Sequence, residues 1–361
     1  MTAVTSGPIV NSLTTGKLPR GSVWMVLLGS WAVIGLIFMF VQFAGGTKTF
    51  NLVGTLFLGT ILFDILIWVL SYLVEGSRKA KDRLVTSLIA TAFIITLLPL
   101  VSLLYTVVIN GLGRMIEPSF FTQSMRNILD ASGGVVHALI GTLEITAGAA
   151  IISIPIGLLT SVYLVEYGRG NLARAITFLV DVMTGIPSIV AGLFAFALFA
   201  LLTGNPGYRA GISGSVALSV LMIPIVVRSS EEMLKLVPNE LREAAYALGV
   251  PKWLTILKVV IPTSIAGITT GVTLAVARVI GETAPLLIAA GFTASVNYNL
   301  FASPMMTMPV FAYTQYAQQG AHASDFVNRS WATALALILI VMALNLVARL
   351  IARIFSPKLG R

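Results

Sequence analysis

Long apolar runs alternate with short polar ones along this chain. Eight runs stand out, at about residues 23–43, 50–74, 84–109, 136–166, 176–203, 211–228, 262–290 and 331–355. Each is close to the roughly 20 apolar residues that a helix needs to cross a bilayer core, so the pattern predicts eight membrane-spanning helices. Breaks in the pattern are few. Pro187 and Ser188 predict a kink in the fifth run, Pro224 lies near the end of the sixth, and Gly281 and Pro285 interrupt the seventh. Between the last two runs lies a long, weakly charged stretch, 291–330, rich in Met, Tyr, Phe and Gln.

Composition supports the membrane reading. Of the 361 residues, 57% are hydrophobic and only 10% charged, against roughly 25% charged in soluble domains. The absence of cysteine excludes disulfides, thiolate metal sites and a cysteine nucleophile. His137 and His322 are too few for a histidine metal site, so no metal and no cofactor is expected. An integral membrane enzyme is disfavoured by the scattered acids and by the lack of a nucleophile motif near either histidine.

The net charge of +9 suggests nucleic acid until the cations are placed. Lys48, Arg114, Arg126, Arg209 and Arg329 fall on one side of the eight spans, Arg278 falls within one, and the remaining Lys and Arg fall on the other side. By the positive-inside rule the richer side is cytoplasmic, with both termini there. Topology therefore accounts for the charge, and no nucleic-acid partner is expected. The polar lead and first apolar run are both too long for an ordinary cleaved signal peptide.

The longest charged stretch on the richer side runs from Arg228 to Lys258, within a hairpin at 229–261. Asn239 after Pro238 is read as a helix cap, with Glu240 and Glu243 in the first turn. Gly249 supplies the stop, and Pro251 opens the next helix. A helix of about nine residues is marginal alone in water and needs a surface to hold it. Ala244, Ala245, Ala247 and Gly249 make part of it small enough to enter a groove. From spacing alone, a docking element and an ordinary re-entry hairpin remain equally open.

Ionisable groups inside a bilayer are functional candidates by default: Asp64, Glu144, Asp181, Arg228, Arg278 and Glu282. Arg278 and Glu282, four residues apart, are expected on one helix face, with Arg278 about 24 Å beyond Pro262 at 1.5 Å per residue. Two readings stay open there. The pair neutralises itself, or the guanidinium offers forked donors to an anion while Glu282 holds it and limits affinity. Arg228 is either a snorkelling interface residue or turned inward by Pro224. Gly141, Gly148 and Gly157 permit close helix approach, a packing feature.

Several stretches resemble a known family. Glu243-Ala244-Ala245, Gly249 and then Val259-Val260-Ile261-Pro262 are similar to the EAA loop of bacterial ABC importer permeases, E-A-A-x3-G-x9-I-x-L-P. Val259 replaces Ile and Ile261 replaces Leu, with the spacing kept. PIVVRSSEEMLKLVP, RVIGETAPLL, GIPSIVAGLF and SWATALALILIVMALNLVARLIARI further resemble the phosphate importer permeases, of the PstA type rather than the PstC type. The resemblance implies an all-α polytopic membrane protein, a six-helix ABC importer permease core at 84–361. To this residues 1–83 add two extra N-terminal transmembrane helices and a basic loop.

It also implies a bacterial cytoplasmic-membrane permease without catalytic residues. Its partners would be cytoplasmic ATP-binding subunits, a second homologous permease subunit, an extracytoplasmic phosphate-binding protein and membrane lipid. Arg228, Arg278, Glu282 and Thr283 would belong to the phosphate pathway, and Glu243, Ala244, Ala245 and Gly249 to ATPase coupling. Segment 291–330, including Pro304, Pro309, Tyr313 and Tyr316, would pack on the outer gate or meet the binding protein. The chain has no G-x-x-x-x-G-K-[ST] loop for ATP. Alternatives are a permease for another oxyanion or a phosphonate, or an ion-coupled secondary carrier, which has no need of the hairpin.

Overall fold

A computed structural model describes residues 18–19, 21–45, 51–128, 132–319 and 322–355, and no strand occurs among them. Lys17, Arg20, Lys48, Lys358 and Arg361, which enter the orientation count, lie outside the described residues. The chain forms two compact units, 1–104 and 105–361, divided inside a long helix.

The first unit contains α1 (Ser22–Gly45), α2 (Leu52–Glu75) and most of α3 (Ser77–Met115). Asn51 caps α2 by accepting from the Gly54 N–H at 2.8 Å, which satisfies a donor that no helical carbonyl reaches. Trp31 lies against Gly59 and donates from Nε1 to Thr60 Oγ1 at 3.2 Å, which ties α1 to α2. At the α2–α3 turn the buried Glu75 carboxylate accepts from Arg83 Nε at 2.7 Å, Ser71 Oγ at 2.9 Å and the Leu18 N–H at 3.1 Å. Asp64 is buried in α2, and its Oδ1 has no hydrogen-bond partner among the described residues.

The second unit continues through α4 (Pro118–Thr122), α5 (Val136–Val162), α6 (Gly170–Thr184), α7 (Ser188–Thr203), α8 (Gly211–Lys235) and α9 (Asn239–Ala247). Then follow α10 (Lys252–Thr255), α11 (Ile261–Val279), α12 (Ala284–Ala289), α13 (Met308–Ala317) and α14 (Ala323–Phe355). Two π-helical turns, Tyr163–Tyr167 and Ile256–Val260, extend α5 and join α10 to α11. Among the described residues seven helical stretches are long and apolar enough to cross a membrane singly, and the fifth apolar run adds an eighth when its two bent helices count as one broken span. It is bent by 108° between α6 and α7, because Pro187 has no N–H to continue the helix and Gly185 and Ile186 close a turn instead.

α5 and α8 form the spine of this unit, α11 packs on α8 and α14, and α7 pairs with α12. Ile145, Leu218, Met222, Val226, Ala275 and Val279 lie in its buried core. The small residues of α5 set how closely the spine packs: a Cβ at Gly148 would lie 2.6 Å from Ser215 Oγ, and one at Gly157 2.6 Å from Val226 Cγ1. Gly157→Leu forces α5 and α8 apart, and overpacking of this kind costs about 1–3 kcal/mol. The expected outcome is a lower thermal midpoint for the purified protein in detergent, measured by scanning fluorimetry, and an unchanged midpoint would show that the contact can relax.

Segment 291–330 does not stay outside this packing. Met305, Met306, Met308, Val310 and Phe311 are buried in the same core. Arg329 is buried as well, donating from Nε to Gln315 Oε1 at 2.9 Å and from Nη1 to the Ser132 carbonyl at 3.1 Å. Its guanidinium stands over the Phe326 ring at 4.8 Å.

Candidate substrate path and coupling hairpin

The hairpin after α8 forms as a distinct helix with its own stop. α9 runs over Asn239–Ala247, and its cap is Pro238 rather than Asn239, which is the first helical residue. Glu240 lies in the first turn, whereas Glu243 lies beyond it. Pro238 adopts the extended geometry of a cap without a side-chain acceptor, and the Asn239 Oδ1 accepts from Arg242 instead at 3.3 Å. At the other end Gly249 has φ +74°. Its N–H donates to the Tyr246 carbonyl at 2.9 Å and the Val250 N–H to the Ala245 carbonyl at 3.1 Å, a Schellman stop that glycine adopts without strain. Pro251 is then the cap of α10, and Lys252 its first residue.

One face of α9 is turned to its own chain and the rest is open. Ala245 is buried and Arg242 half-buried, while Glu240, Glu243, Ala244, Ala247 and Gly249 are exposed. Leu248 is 84% exposed and Leu236 72%. Apolar side chains presented outside the apolar spans mark a contact surface.

Arg228 lies within α8, which continues two turns past the predicted end of the sixth span to Lys235. Its Nη2 donates to Asp181 of α6, and its Nη1 to Glu231 at 2.9 Å. Lys235 Nζ reaches the other oxygen of Glu231 at 2.7 Å. The helix carries Arg228 into a cluster of two cations and two carboxylates. Sequence spacing named Asp181 and Arg228 separately and missed both their contact and Glu231; the i,i+3 and i,i+4 spacing to Arg228 and Lys235 was the available signal.

Arg278 is exposed one residue before the end of α11, about 26 Å from Ile261 at 1.5 Å per residue. The expected common face with Glu282 is not formed. α11 ends at Val279, Glu282 and Thr283 lie half-buried in the break before α12, and no Arg278–Glu282 ion pair occurs among the described residues. Pro285 cannot donate to the Gly281 carbonyl, so the helix does not continue through it and α12 starts afresh at Ala284. Thr270, Leu274 and Arg278, at i, i+4 and i+8, form one exposed stripe.

The two backbone breaks belong to helices that pack together. A Cβ on Gly192 of α7 would lie 2.6 Å from Pro285 Cα of α12. Irregular backbone at membrane depth persists only where protein packs it or water reaches it. An arginine at that depth facing lipid costs several kcal/mol. Arg278 and the neighbouring break therefore mark a face that protein or water covers. Glu144, with one carboxylate oxygen buried and unpartnered, and His137, edge-on to Phe311 at 5.0 Å, sit on α5 away from any ion pair.

The arrangement is that of a transport protein: a helical membrane core, broken spans beside a charged face, and a small helix offered to a partner. Comparison with known proteins agrees. Two solved ABC importers share the fold. The inward-facing MetNI methionine ABC transporter matches with TM-score 0.50 and 19% identity over 62% of this chain and 96% of that one. A bacterial ABC transporter involved in the import of the acidic polysaccharide alginate matches with TM-score 0.52 and 14% identity over 78% and 100%.

Residues 153–361 match the family described as binding-protein-dependent transport system inner membrane component, and the chain belongs to that family. Among its relatives, the phosphate transport system permease protein PstA 1 of Mycobacterium tuberculosis is 45% identical over 76% of this chain and 89% of its own length. PstA of Yersinia pestis is 37% identical over 77% and 92%. The protein is thus a multi-span permease subunit of the ABC importer class, in which separate subunits hydrolyse ATP and a binding protein delivers the cargo.

Proposed function

We propose that this chain is a permease subunit for inorganic phosphate, paired with a second, homologous permease subunit in a bacterial cytoplasmic membrane, with both termini and the α9 hairpin on the cytoplasmic side. Of two cytoplasmic ATP-binding subunits, one grips α9 through the exposed side of Glu243, Ala244 and Gly249. An extracytoplasmic phosphate-binding protein loads the path from the other side. Residues 1–83 are an added membrane segment that precedes the permease core at 84–361 in sequence.

The observation that carries this reading is Arg278, a guanidinium exposed on a membrane helix beside a break, with no carboxylate paired to it among the described residues. Its fork matches two oxygens of a tetrahedral anion. Thr283 and Glu282, in the break itself, flank the same path. Arg228 forms a second cationic station nearer the hairpin. Phosphate as the anion is supported by relatives named phosphate transport permeases at 37–45% identity.

Reconstitution tests the reading. The complex in proteoliposomes with binding protein outside is expected to take up labelled phosphate only with ATP inside, and to prefer phosphate over sulfate, molybdate and phosphonate. Preference for another oxyanion would overturn the substrate. ATP-independent uptake by this chain alone would favour a secondary carrier.

Arg228 already holds Asp181, so an anion arriving there competes with a carboxylate. The pair is 34% and 60% exposed, and such pairs are worth up to about 1 kcal/mol. Asp181→Asn is therefore expected to lower the half-saturating phosphate concentration of uptake by up to about fivefold, by the tenfold per 1.4 kcal/mol rule. No change in a concentration series would show that phosphate does not meet Arg228 in this state.

A further inference from the structure

Among the described residues, Arg242 and Glu166 form the most enclosed ion pair between the hairpin and the membrane helices. Arg242 donates to Glu166 Oε1 from Nε at 3.0 Å and from Nη2 at 2.8 Å. The same guanidinium also donates to the Leu234 carbonyl at 3.0 Å and to the Val237 carbonyl, at the open end of α8. The two charged side chains are only 13% and 6% exposed. From the second limb of the hairpin, Lys252 Nζ donates to the Glu166 backbone carbonyl and stands 4.7 Å over the Tyr167 ring. Both limbs thus hold one residue at the foot of α5.

The surrounding backbone makes this tie matter. Glu166 lies in the π turn that ends α5, and the second π turn, Ile256–Val260, lies where the hairpin rejoins α11. π turns are rare, wider than α turns and frequent at functional sites. The hairpin is therefore rooted in loosely wound backbone on both sides. A buried, forked ion pair does not exchange its partner for water as an exposed pair does, because separation would leave a desolvated charge. Displacement of α9 must then carry Glu166, and α5 with it, while the carbonyls of Leu234 and Val237 carry α8.

We infer that Arg242 and Glu166 are positioning residues for transport, a stiff link that passes movement of α9 to the α5–α8 spine and hence to Arg228. This rests on the proposed role of α9 as the element gripped by the ATP-binding subunits, and adds which contact conveys its movement.

The test uses the whole reconstituted complex and reads the number of phosphate ions transported per ATP hydrolysed. Glu166→Gln keeps an oxygen acceptor for the fork and removes the charge; Arg242→Lys keeps the charge and removes the fork. Both complexes are expected to assemble and hydrolyse ATP while the transport ratio falls at least fivefold. A merely structural role would lower assembly and ATPase activity together and leave the ratio of the surviving complexes unchanged, which overturns the inference. Single variants that assemble with the wild-type ratio overturn it too. Gly249→Trp serves as the control. If it uncouples while Glu166→Gln does not, the link fails and the docking of α9 stands. If it has no effect, the docking itself fails.

Discussion

Gly249→Trp is expected to abolish most binding-protein-stimulated ATP hydrolysis and phosphate uptake while the chain still folds and inserts. Two effects add. Gly249 has φ +74°, a conformation that costs a residue with a Cβ about 1–2 kcal/mol. The second effect is steric, since a Cβ built at this position has no described residue beyond its chain neighbours within 4 Å, and an indole extending from it would collide with a partner seated against α9. Gly249→Ala separates the two, because it meets the backbone penalty and adds almost no bulk. The alanine variant is expected to keep at least a third of the stimulated rate and the tryptophan variant less than a tenth. Equal losses in the two would assign the effect to local backbone, and full activity of the tryptophan variant would exclude this surface from docking.

Arg278→Gln is the second large effect. Two charge-assisted hydrogen bonds to a tetrahedral anion are worth about 1.5–3 kcal/mol each. Their loss lowers transport by roughly 10²–10⁴-fold at 1.4 kcal/mol per decade. The side chain is exposed at the end of α11 and enters no ion pair among the described residues, so fold and assembly are expected to survive, as judged by co-purification of the complex. Arg278→Lys keeps the charge without the fork and is expected to fall between. Normal uptake by the glutamine variant would remove Arg278 from the path. Glu282→Gln is informative beside it: with Glu282 in the break and not on the face of Arg278, its loss acts on the anion or on the break and not through an internal pair.

The short helix α9 was legible because its signals are local. Pro238, the acid at Glu240 and the stop at Gly249 act within one or two turns, and the helix bounds follow from them, off by one residue at the cap. The small residues of α5 were legible for a similar reason, since Gly148 and Gly157 leave space that only another helix can fill. The fifth and seventh spans were read as single, kinked spans because apolar length dominates a hydropathy pattern. That length says nothing about whether a proline break becomes a gentle kink or the observed 108° bend, which depends on what packs against each arm.

The sequence by itself determined that this is a polytopic membrane protein, where along the chain its apolar helices lie, and that a short capped helix interrupts the spans at 239–247. Those properties arise from solvation, from backbone donors and acceptors and from side-chain bulk, all set within a few neighbouring residues. Only the tertiary structure decided that Arg228 meets Asp181, 47 residues away, and that Arg242 meets Glu166 across 76. It also decided that Arg278 lies at the end of α11 while Glu282 lies in the break that follows. Which charge pairs with which is decided by the helices that happen to be packed together, and a linear pattern of charges is compatible with many pairings until that packing exists.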